Sequence, residues 1–418
     1  MTTVENTARS PLSAQQQATA EFSVPRHAPP ATRLLFALLA RLAHGEVVLR
    51  TPDGLSHRFG SGHGHAGRAD LAFNDWRVAR EVLTGGDVAF AEAYMDGRWE
   101  TPDLTALLTV LACNQQALER AFYGHAWQRT LFRLKHWLNA NTRRQARRNI
   151  VAHYDLGNAF YGLWLDPTMT YSSALFGGDS TQSLAAAQEA KYARILDELA
   201  LPRGAHILEI GCGWGGFAET AARAGYRVTG LSLSGAQTAF ARARIARAGL
   251  GDRVLFRLQD YRDLRGTYDA VASIEMFEAV GERWWPDYFR AVAAALKPGG
   301  RAIIQSITIA DALFERYRKG TDFIQQYIFP GGMLPSPSRF RAEAEGAGLA
   351  FADAHAFGPD YAETLRRWRA SFMAQLPAVR EQGFDERFLR MWEFYYCYCE
   401  ASFDSGCTDV YQFELIKA

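Results

Sequence analysis

Residues 207–216, Ile-Leu-Glu-Ile-Gly-Cys-Gly-Trp-Gly-Gly, end an apolar run with an acidic side chain and follow it with glycines at alternate positions. Glycine adopts left-handed backbone without strain and lets the chain pass close to a ligand. The spacing E-x-G-x-G-x-G-G is not the G-x-G-x-x-G of dinucleotide-binding turns. No G-x-x-x-x-G-K-[ST] phosphate loop occurs in the chain either. Recognition through a pyrophosphate is therefore disfavoured. Glu209, behind Gly211 and Gly213, reaches hydroxyls or an ammonium group instead, which suits S-adenosylmethionine. A tight turn that binds nothing is the plain alternative.

Other loops carry similar chemistry. Ser232-Leu233-Ser234-Gly235-Ala236-Gln237 offers hydroxyls and an amide where many nucleoside-binding sheets place a carboxylate. Gln259-Asp260-Tyr261-Arg262-Asp263 sets an aromatic ring among polar groups and can flank an adenine. Glu275-Met276-Phe277-Glu278-Ala279-Val280-Gly281 puts two glutamates in an apolar and aromatic run, where burial without partners is costly. Gln305-Ser306-Ile307-Thr308 is the fourth polar loop. Upstream, 153–161 and 166–173 interleave tyrosines with small polar residues, a composition that suits a lid over a cofactor.

These loops need a scaffold that brings them to one edge. Apolar runs predict strands at His206–Ile210, Arg227–Ser232, Val254–Leu258, Tyr268–Ile274 and Arg301–Ile307. Helices are expected near 215–224, 235–248 and 284–296, the last closed by Lys297-Pro298-Gly299-Gly300. Such alternation implies a doubly wound parallel sheet with its ligands beyond the carboxyl ends of the strands. The glycine turn and the four polar loops each follow one of those strands, while 153–161 and 166–173 precede them. Ahead of this unit, residues 31–120 read as a small α+β domain, with a helix at Leu34–Ala43 and a hairpin of Val47–Arg50 and Ser56–Phe59. His63 and His65 lie in a glycine-rich loop with no third ligand, so a flexible loop is preferred there to a metal site.

Composition narrows the function classes. A chain of 418 residues with 48% apolar content favours two domains and a sizeable core. Lys plus Arg number 46 against 45 Asp plus Glu, so no global charge steers the chain toward nucleic acid. Five cysteines show no paired metal spacing, and Cys397-x-Cys399 sits in an aromatic helical run as packing, so no metal is expected. A reducing cytoplasm is the expected compartment. No run is long and apolar enough to span a bilayer, and residues 1–30 read as a disordered leader. Residues 121–150 are expected to form a basic amphipathic connecting helix. Between Arg120 and Asp155 there is no acidic residue, while Arg129, Arg133, Lys135, Arg143, Arg144, Arg147 and Arg148 alternate with aromatics. Transient contact with an anionic membrane surface, at its inner face, is one reading; a solvated helix face is the other.

The motifs together are more specific than any one. H-Y-D-L-G-N from His153, D-P-x-M-x-Y-S from Asp166, the glycine loop, Q-D-Y-R-D, M-F-E-x-V-G, Y-I-F-P-G-G-x-L-P from Tyr327 and F-G-x-D-Y from Phe357 resemble the cyclopropane-fatty-acid synthases. The resemblance runs from about Asn149 to the C-terminus. It implies a class I methyltransferase sheet of seven strands, the last antiparallel, in residues 151–418, with a lipid-covering insertion near 310–340. It implies transfer of a methyl group from S-adenosylmethionine to the double bond of an unsaturated acyl chain, in a phospholipid because the N-terminal part resembles the extra domain of the phospholipid-acting members. Tyr154, Tyr171 and Ser172 would close over the cofactor and Gly211 and Gly213 would admit it. Ser232, Leu233 and Gln237 would hold its ribose and methionine side, with Asp260 and Tyr261 near adenine.

The family also binds bicarbonate as catalytic base, through a cysteine, a glutamate, a histidine, an isoleucine backbone and a tyrosine. Glu278, Ile307 and Tyr361 match three of these; Ser173 stands for the cysteine and Gln305 for the histidine. The position of the base decides the product. If bicarbonate still binds, a cyclopropane follows. If the base has moved, or Glu278 serves, the product is a methylene or methyl-branched unsaturated chain, to which the substitutions lean. A non-catalytic lipid- or cofactor-binding subunit and a methyltransferase of a soluble natural product are the other readings. A homodimer and a reductase partner for a methylene product are compatible with all of the enzymatic ones.

Overall fold

The computed structural model describes residues 28–61, 66–115, 118 and 156–418. The leader before 28, His63, His65, Tyr154 and the basic segment 121–150 lie outside the described residues. The N-terminal part forms a four-stranded sheet in the order β2-β1-β3-β4, from β1 (Glu46–Arg50), β2 (Ser56–Gly60), β3 (Arg68–Phe73) and β4 (Trp99–Glu100). The hairpin β1/β2 is as expected, with Arg50 opposite Ser56. Strand β3 was not expected: it pairs parallel to β1, and its polar–apolar alternation follows directly on the glycine-rich loop. The first helix, Pro30–Leu39, starts earlier than the apolar pattern implied, because Pro30 supplies the preset φ of a first helical turn.

The second sheet has seven strands in the order β10-β11-β9-β8-β5-β6-β7. They are β5 (His206–Ile210), β6 (Arg227–Ser232), β7 (Val254–Leu258), β8 (Tyr268–Ile274), β9 (Leu296–Ile309), β10 (Leu349–Ala356) and β11 (Thr408–Lys417). Pairings among β5–β9 are all parallel, while β11 runs antiparallel to both β9 and β10. Every residue of β5 after His206 is buried, as a strand covered on both faces requires. Lys297-Pro298-Gly299-Gly300 does not stand outside the sheet; it is the entry of β9, where the register to β8 shifts between Tyr268 and Ala270. The chain winds outward from β5 through β6 to β7, then returns to place β8 on the other side of β5. The carboxyl ends of β5 and β8 therefore flank the topological switch point, where doubly wound sheets bind their ligands.

The two sheets share one interior. A continuous buried cluster runs from Leu35, Val47 and Trp99 through Leu108 and Leu111 to Trp164, Trp368 and Trp392. The C-terminal helices Gly358–Ala374 and Glu386–Asp404 supply its centre, which is aromatic: Phe160 lies 4.9 Å from Trp392 and Trp164 lies 5.7 Å from Trp368. The buried carboxylate of Glu400 ties the same helix to the N-terminal part by accepting from Thr105 Oγ1 at 3.1 Å. Among the described residues no helix is long and apolar enough to cross a membrane. Trp392→Ala is expected to lower stability by about 3–5 kcal/mol, because the ring is 1% exposed and its neighbours cannot collapse into the space; urea denaturation of both proteins measures it.

Candidate active site

Strand β5 delivers Glu209 to the switch point and then turns through Gly211 (φ 88°) and Gly213 (φ 47°) into the helix Gly216–Arg223. A β-carbon at Gly211 would stand 2.8 Å from the Met276 side chain, so this turn tolerates no larger residue. Glu209 is 3% exposed, and its buried Oε2 meets no hydrogen-bond partner among the described residues. Burial pushes its carboxyl up to about 8, with Arg244 partly opposing. An unpaired buried acid beside a glycine cradle fits a ligand that brings its own positive charge or hydroxyls.

Around this turn is a cavity of about 160 Å³. Tyr171, Ser172, Glu209, Gly211, Gly213, Ser232, Leu233, Gln237, Asp260 and Tyr261 all line it. Four of them are engaged through side-chain hydrogen bonds within the protein. The Tyr171 and Tyr395 hydroxyls pair at 2.9 Å, and Ser232 Oγ accepts from Ser234 N at 3.1 Å. Asp260 holds Arg262 through Nε at 2.9 Å and Nη2 at 2.6 Å, and Ser172 Oγ accepts from Lys191 Nζ at 2.5 Å.

A second cavity, of about 270 Å³, opens on the opposite side of the same wall. It is lined by Ile307, Ile309, Leu313, Met333, Phe329 and Leu365, with Leu108 and Leu111 from the N-terminal part. The two cavities share Tyr171, Glu275 and Ala279, and these residues mark where a cofactor and an apolar chain would meet.

Glu275 is the residue that sequence reasoning left without a role. It sits at the end of β8 with φ 49°, a left-handed conformation that costs a non-glycine residue roughly 1–3 kcal/mol. Its Oε1 accepts from the Ser173 backbone N–H at 2.8 Å and from Gln305 Nε2 at 2.8 Å. Its Oε2 accepts from the Tyr361 hydroxyl at 2.7 Å. Burial raises its carboxyl, while Lys191 and these three donors oppose the rise. The signal in the sequence was the glutamate pair itself, whose burial demanded partners.

The five residues expected to carry catalysis divide accordingly. Ser173, Gln305 and Tyr361 converge on Glu275. Ser173 does so through its backbone, its hydroxyl donating to Ala174 O at 2.9 Å. Glu278 and Ile307 form a separate pair: Glu278 Oε1 accepts from Ile307 N at 2.5 Å and Ser306 Oγ at 3.1 Å. Glu278 Oε2 is buried with no partner among the described residues. Burial, and next the charge of Glu275, push the Glu278 carboxyl up to about 8, so near neutral pH it keeps its proton.

A seven-stranded doubly wound sheet with an acid-and-glycine turn at its switch point defines a class I S-adenosylmethionine-dependent methyltransferase. Within that class, the family model for mycolic acid cyclopropane synthetase matches residues 141–413, and the chain belongs to this family. It is 44% identical over 351 residues to tuberculostearic acid methyltransferase UfaA1 of Mycobacterium tuberculosis, covering 81% of each chain. It is 33% identical to the cyclopropane-fatty-acyl-phospholipid synthase of Escherichia coli, covering 82% of this chain and 87% of that protein. The solved structure of mycolic acid cyclopropane synthase CmaA1 with SAH and CTAB is similar, with TM-score 0.61 and 31% identity over 65% of this chain and 98% of that one.

The state of Glu209 gives a testable pH dependence. A cation or hydroxyl ligand prefers its ionised form, so binding releases a proton wherever the free group is still protonated. Affinity for S-adenosylmethionine is expected to rise from about pH 6 to about pH 8. In Glu209→Gln it is expected to be weaker and flat over that range; calorimetric titration in buffers of different ionisation enthalpy reads both quantities.

Proposed function

We propose that this protein transfers the methyl group of S-adenosylmethionine to the double bond of an unsaturated acyl chain in a membrane phospholipid, and that Glu275 then takes a proton from the chain so that a methylated alkene is the product. The observation that carries this reading is the buried Glu275 carboxylate held by Ser173 N, Gln305 Nε2 and Tyr361 Oη. By resemblance, those three positions belong to the bicarbonate site of the family. Here their donors are already taken by a side-chain carboxylate, which argues against a bicarbonate ion, and no step is assigned to one.

When bound, S-adenosylmethionine supplies an electrophilic methyl group. An alkene is a weak nucleophile, so its approach must be in line and at close contact, and the shared wall of the two cavities provides that meeting point. Methylation leaves a cation on the acyl chain. The rings of Tyr171, Phe329, Tyr361 and Tyr395 line the acyl cavity, and a desolvated cation over such a face gains about 2 kcal/mol. Gln305 has no protonation equilibrium near neutral pH, and Glu278 already holds its proton; Glu275 is the acceptor that remains. Proton loss from the new methyl group with the cation on the adjacent carbon closes a ring. Loss from a neighbouring chain carbon gives a methyl-branched alkene, and loss from the methyl after a hydride shift has moved the cation to the carbon that bears it gives a methylene. A base tethered to the end of β8 cannot follow the new methyl as a free ion can. The name of the 44% relative, a tuberculostearic acid methyltransferase rather than a cyclopropane synthase, supports the same product.

The positive charge of 120–148 supports a membrane phospholipid as the source of the acyl chain and a peripheral place at the inner face of the membrane. A methylene product would still need a partner of the reductase class to become saturated.

Purified protein, S-adenosylmethionine and vesicles of unsaturated phospholipid test the proposal, with the released fatty esters read by gas chromatography–mass spectrometry. The expected product is one methylene heavier and still takes up hydrogen. Glu275→Gln is expected to lose it by about 10²-fold or more while still binding S-adenosylmethionine in calorimetry. A saturated ring product whose yield follows added bicarbonate would overturn the reading.

A further inference from the structure

Lys191 is a buried cation that the reaction above does not use. It lies on the helix Leu184–Leu199 and is 0% exposed. Its Nζ donates to Ser172 Oγ at 2.5 Å and to Gln188 Oε1 at 2.7 Å and stands 4.7 Å from the ring centroid of Tyr192. Among the described residues no carboxylate forms a salt bridge with it. Gln188 also fixes the same loop, donating through Nε2 to the Ser172 carbonyl at 2.8 Å. The next residue, Ser173, gives its N–H to Glu275. Lys191 and Glu275 thus grip the two sides of the Ser172–Ser173 segment, one through a hydroxyl and the other through a peptide N–H.

A buried ammonium with only neutral hydrogen-bond partners is costly unless a charge nearby offsets it. The charged groups that face Lys191 are Glu275, from the end of β8, and Asp166, from the loop ahead of Tyr171. Glu275 in turn is faced by Lys191, by the Tyr361 hydroxyl from the helix Gly358–Ala374 and by the carboxyl of Glu278. We propose that Lys191 is a positioning residue for the base: it keeps Glu275 ionised inside the closed site and, through Ser172 and Gln188, holds the loop whose N–H orients that carboxylate. This inference rests on Glu275 being the base. Desolvation pulls the Lys191 amine down to about 7, with Glu275 and Asp166 opposing, so its charge is held chiefly by those carboxylates.

The test is the pH profile of methyl transfer to unsaturated phospholipid vesicles. Removing a nearby opposite charge raises a carboxyl by up to ~1–3 pH units, so Lys191→Met is expected to move the acid limb of kcat upward within that span. Lys191→Arg is expected to restore much of the limb, although its longer head group disturbs Gln188. An unmoved acid limb in Lys191→Met with reduced kcat would overturn the proposal and leave a packing role. Infrared difference spectra of wild type minus Glu275→Gln, taken across about pH 5 to 9, read the carboxyl directly and need no Lys191 variant to fold. A carboxylate band at neutral pH is expected; a protonated-acid band there would overturn the proposal. If Glu275→Gln itself keeps full product formation, the reading of Glu275 as base fails. If it loses product while Lys191→Met keeps its limb in place, only the role of Lys191 fails.

Discussion

A carboxylate buried between two cavities is the constraint on which the rest of the site depends. Glu275 is enclosed, so its charge must be offset by fixed donors and by the buried cation Lys191 rather than by water. Three donors reach it from three separate parts of the chain: the loop before the helix Leu184–Leu199, strand β9, and the helix Gly358–Ala374. The loop is itself bonded to that helix, Ala174 N–H donating to Thr364 Oγ1 at 3.0 Å and Phe176 N–H to Asp360 Oδ2 at 2.7 Å. Gln305 is anchored by pairing opposite Gln412 of β11 and Tyr361 by stacking on Phe403 at 4.6 Å. The antiparallel strand and the C-terminal helices therefore serve the site as much as the parallel sheet does. They fix the far side of a polar cage whose near side is the end of β8.

That cage also explains why two glutamates three residues apart can coexist. Two like charges this close and this buried do not both ionise. The donors are distributed unequally: Glu275 takes three on both oxygens, and Glu278 takes two on one oxygen only. In the proposed mechanism the charge settles on the better-served residue and the proton on the other. Lys191 is on the side of Glu275, adding to the same asymmetry. The acid–base assignment follows from the count and placement of donors, which is a property of the backbone and not of the two side chains alone.

Much of this was legible in the sequence, and what was not has physical causes. The inner strands β5, β6 and β8 announce themselves because a strand covered on both faces must be apolar along its length. Strand β7, at the sheet edge and mostly exposed, is legible only from its short run of Val254, Leu255, Phe256 and Leu258. Strands β10 and β11 came only from the family resemblance, since their mixed burial gives no continuous apolar run. Strand β3 depends on parallel pairing to β1, a long-range choice that local pattern does not encode. Eight of the ten residues around the smaller cavity lie at or just beyond the end of a legible strand; Tyr171 and Ser172, upstream of the sheet, came from their tyrosine-and-hydroxyl composition and the family resemblance. Glu275 was visible as an anomaly but not as a hub, because its partners lie 102, 30 and 86 residues away. Lys191 had a signal of its own: it falls in phase with Ala187, Gln188, Tyr192, Ile195 and Leu199, the buried face of its helix. A lysine on an apolar stripe asks what it neutralises.

The N-terminal part enters the chemistry through the core rather than through the cofactor. Leu108 and Leu111 of the helix Leu104–Cys113 line the acyl cavity, while no residue of the first sheet lines the smaller one. The family model begins at residue 141, and the structure of CmaA1 is similar over only 65% of this chain, so this wall is an addition to the shared catalytic unit. It is held there by Glu400, which accepts from Thr105 and faces Arg366 and Arg369, and by the Tyr94 hydroxyl donating to Glu393 at 2.8 Å. Those contacts join it to the helix Glu386–Asp404, which also carries Tyr395 into the acyl cavity. A displacement of the N-terminal sheet would thus be felt at the aromatic wall that faces the reacting chain. The N-terminal part is thus tied to the acyl cavity through the helix Glu386–Asp404 and through direct contacts such as Phe323 N–H to Asp87 Oδ2 at 3.4 Å and Arg316 Nη2 to Gln115 Oε1 at 3.0 Å.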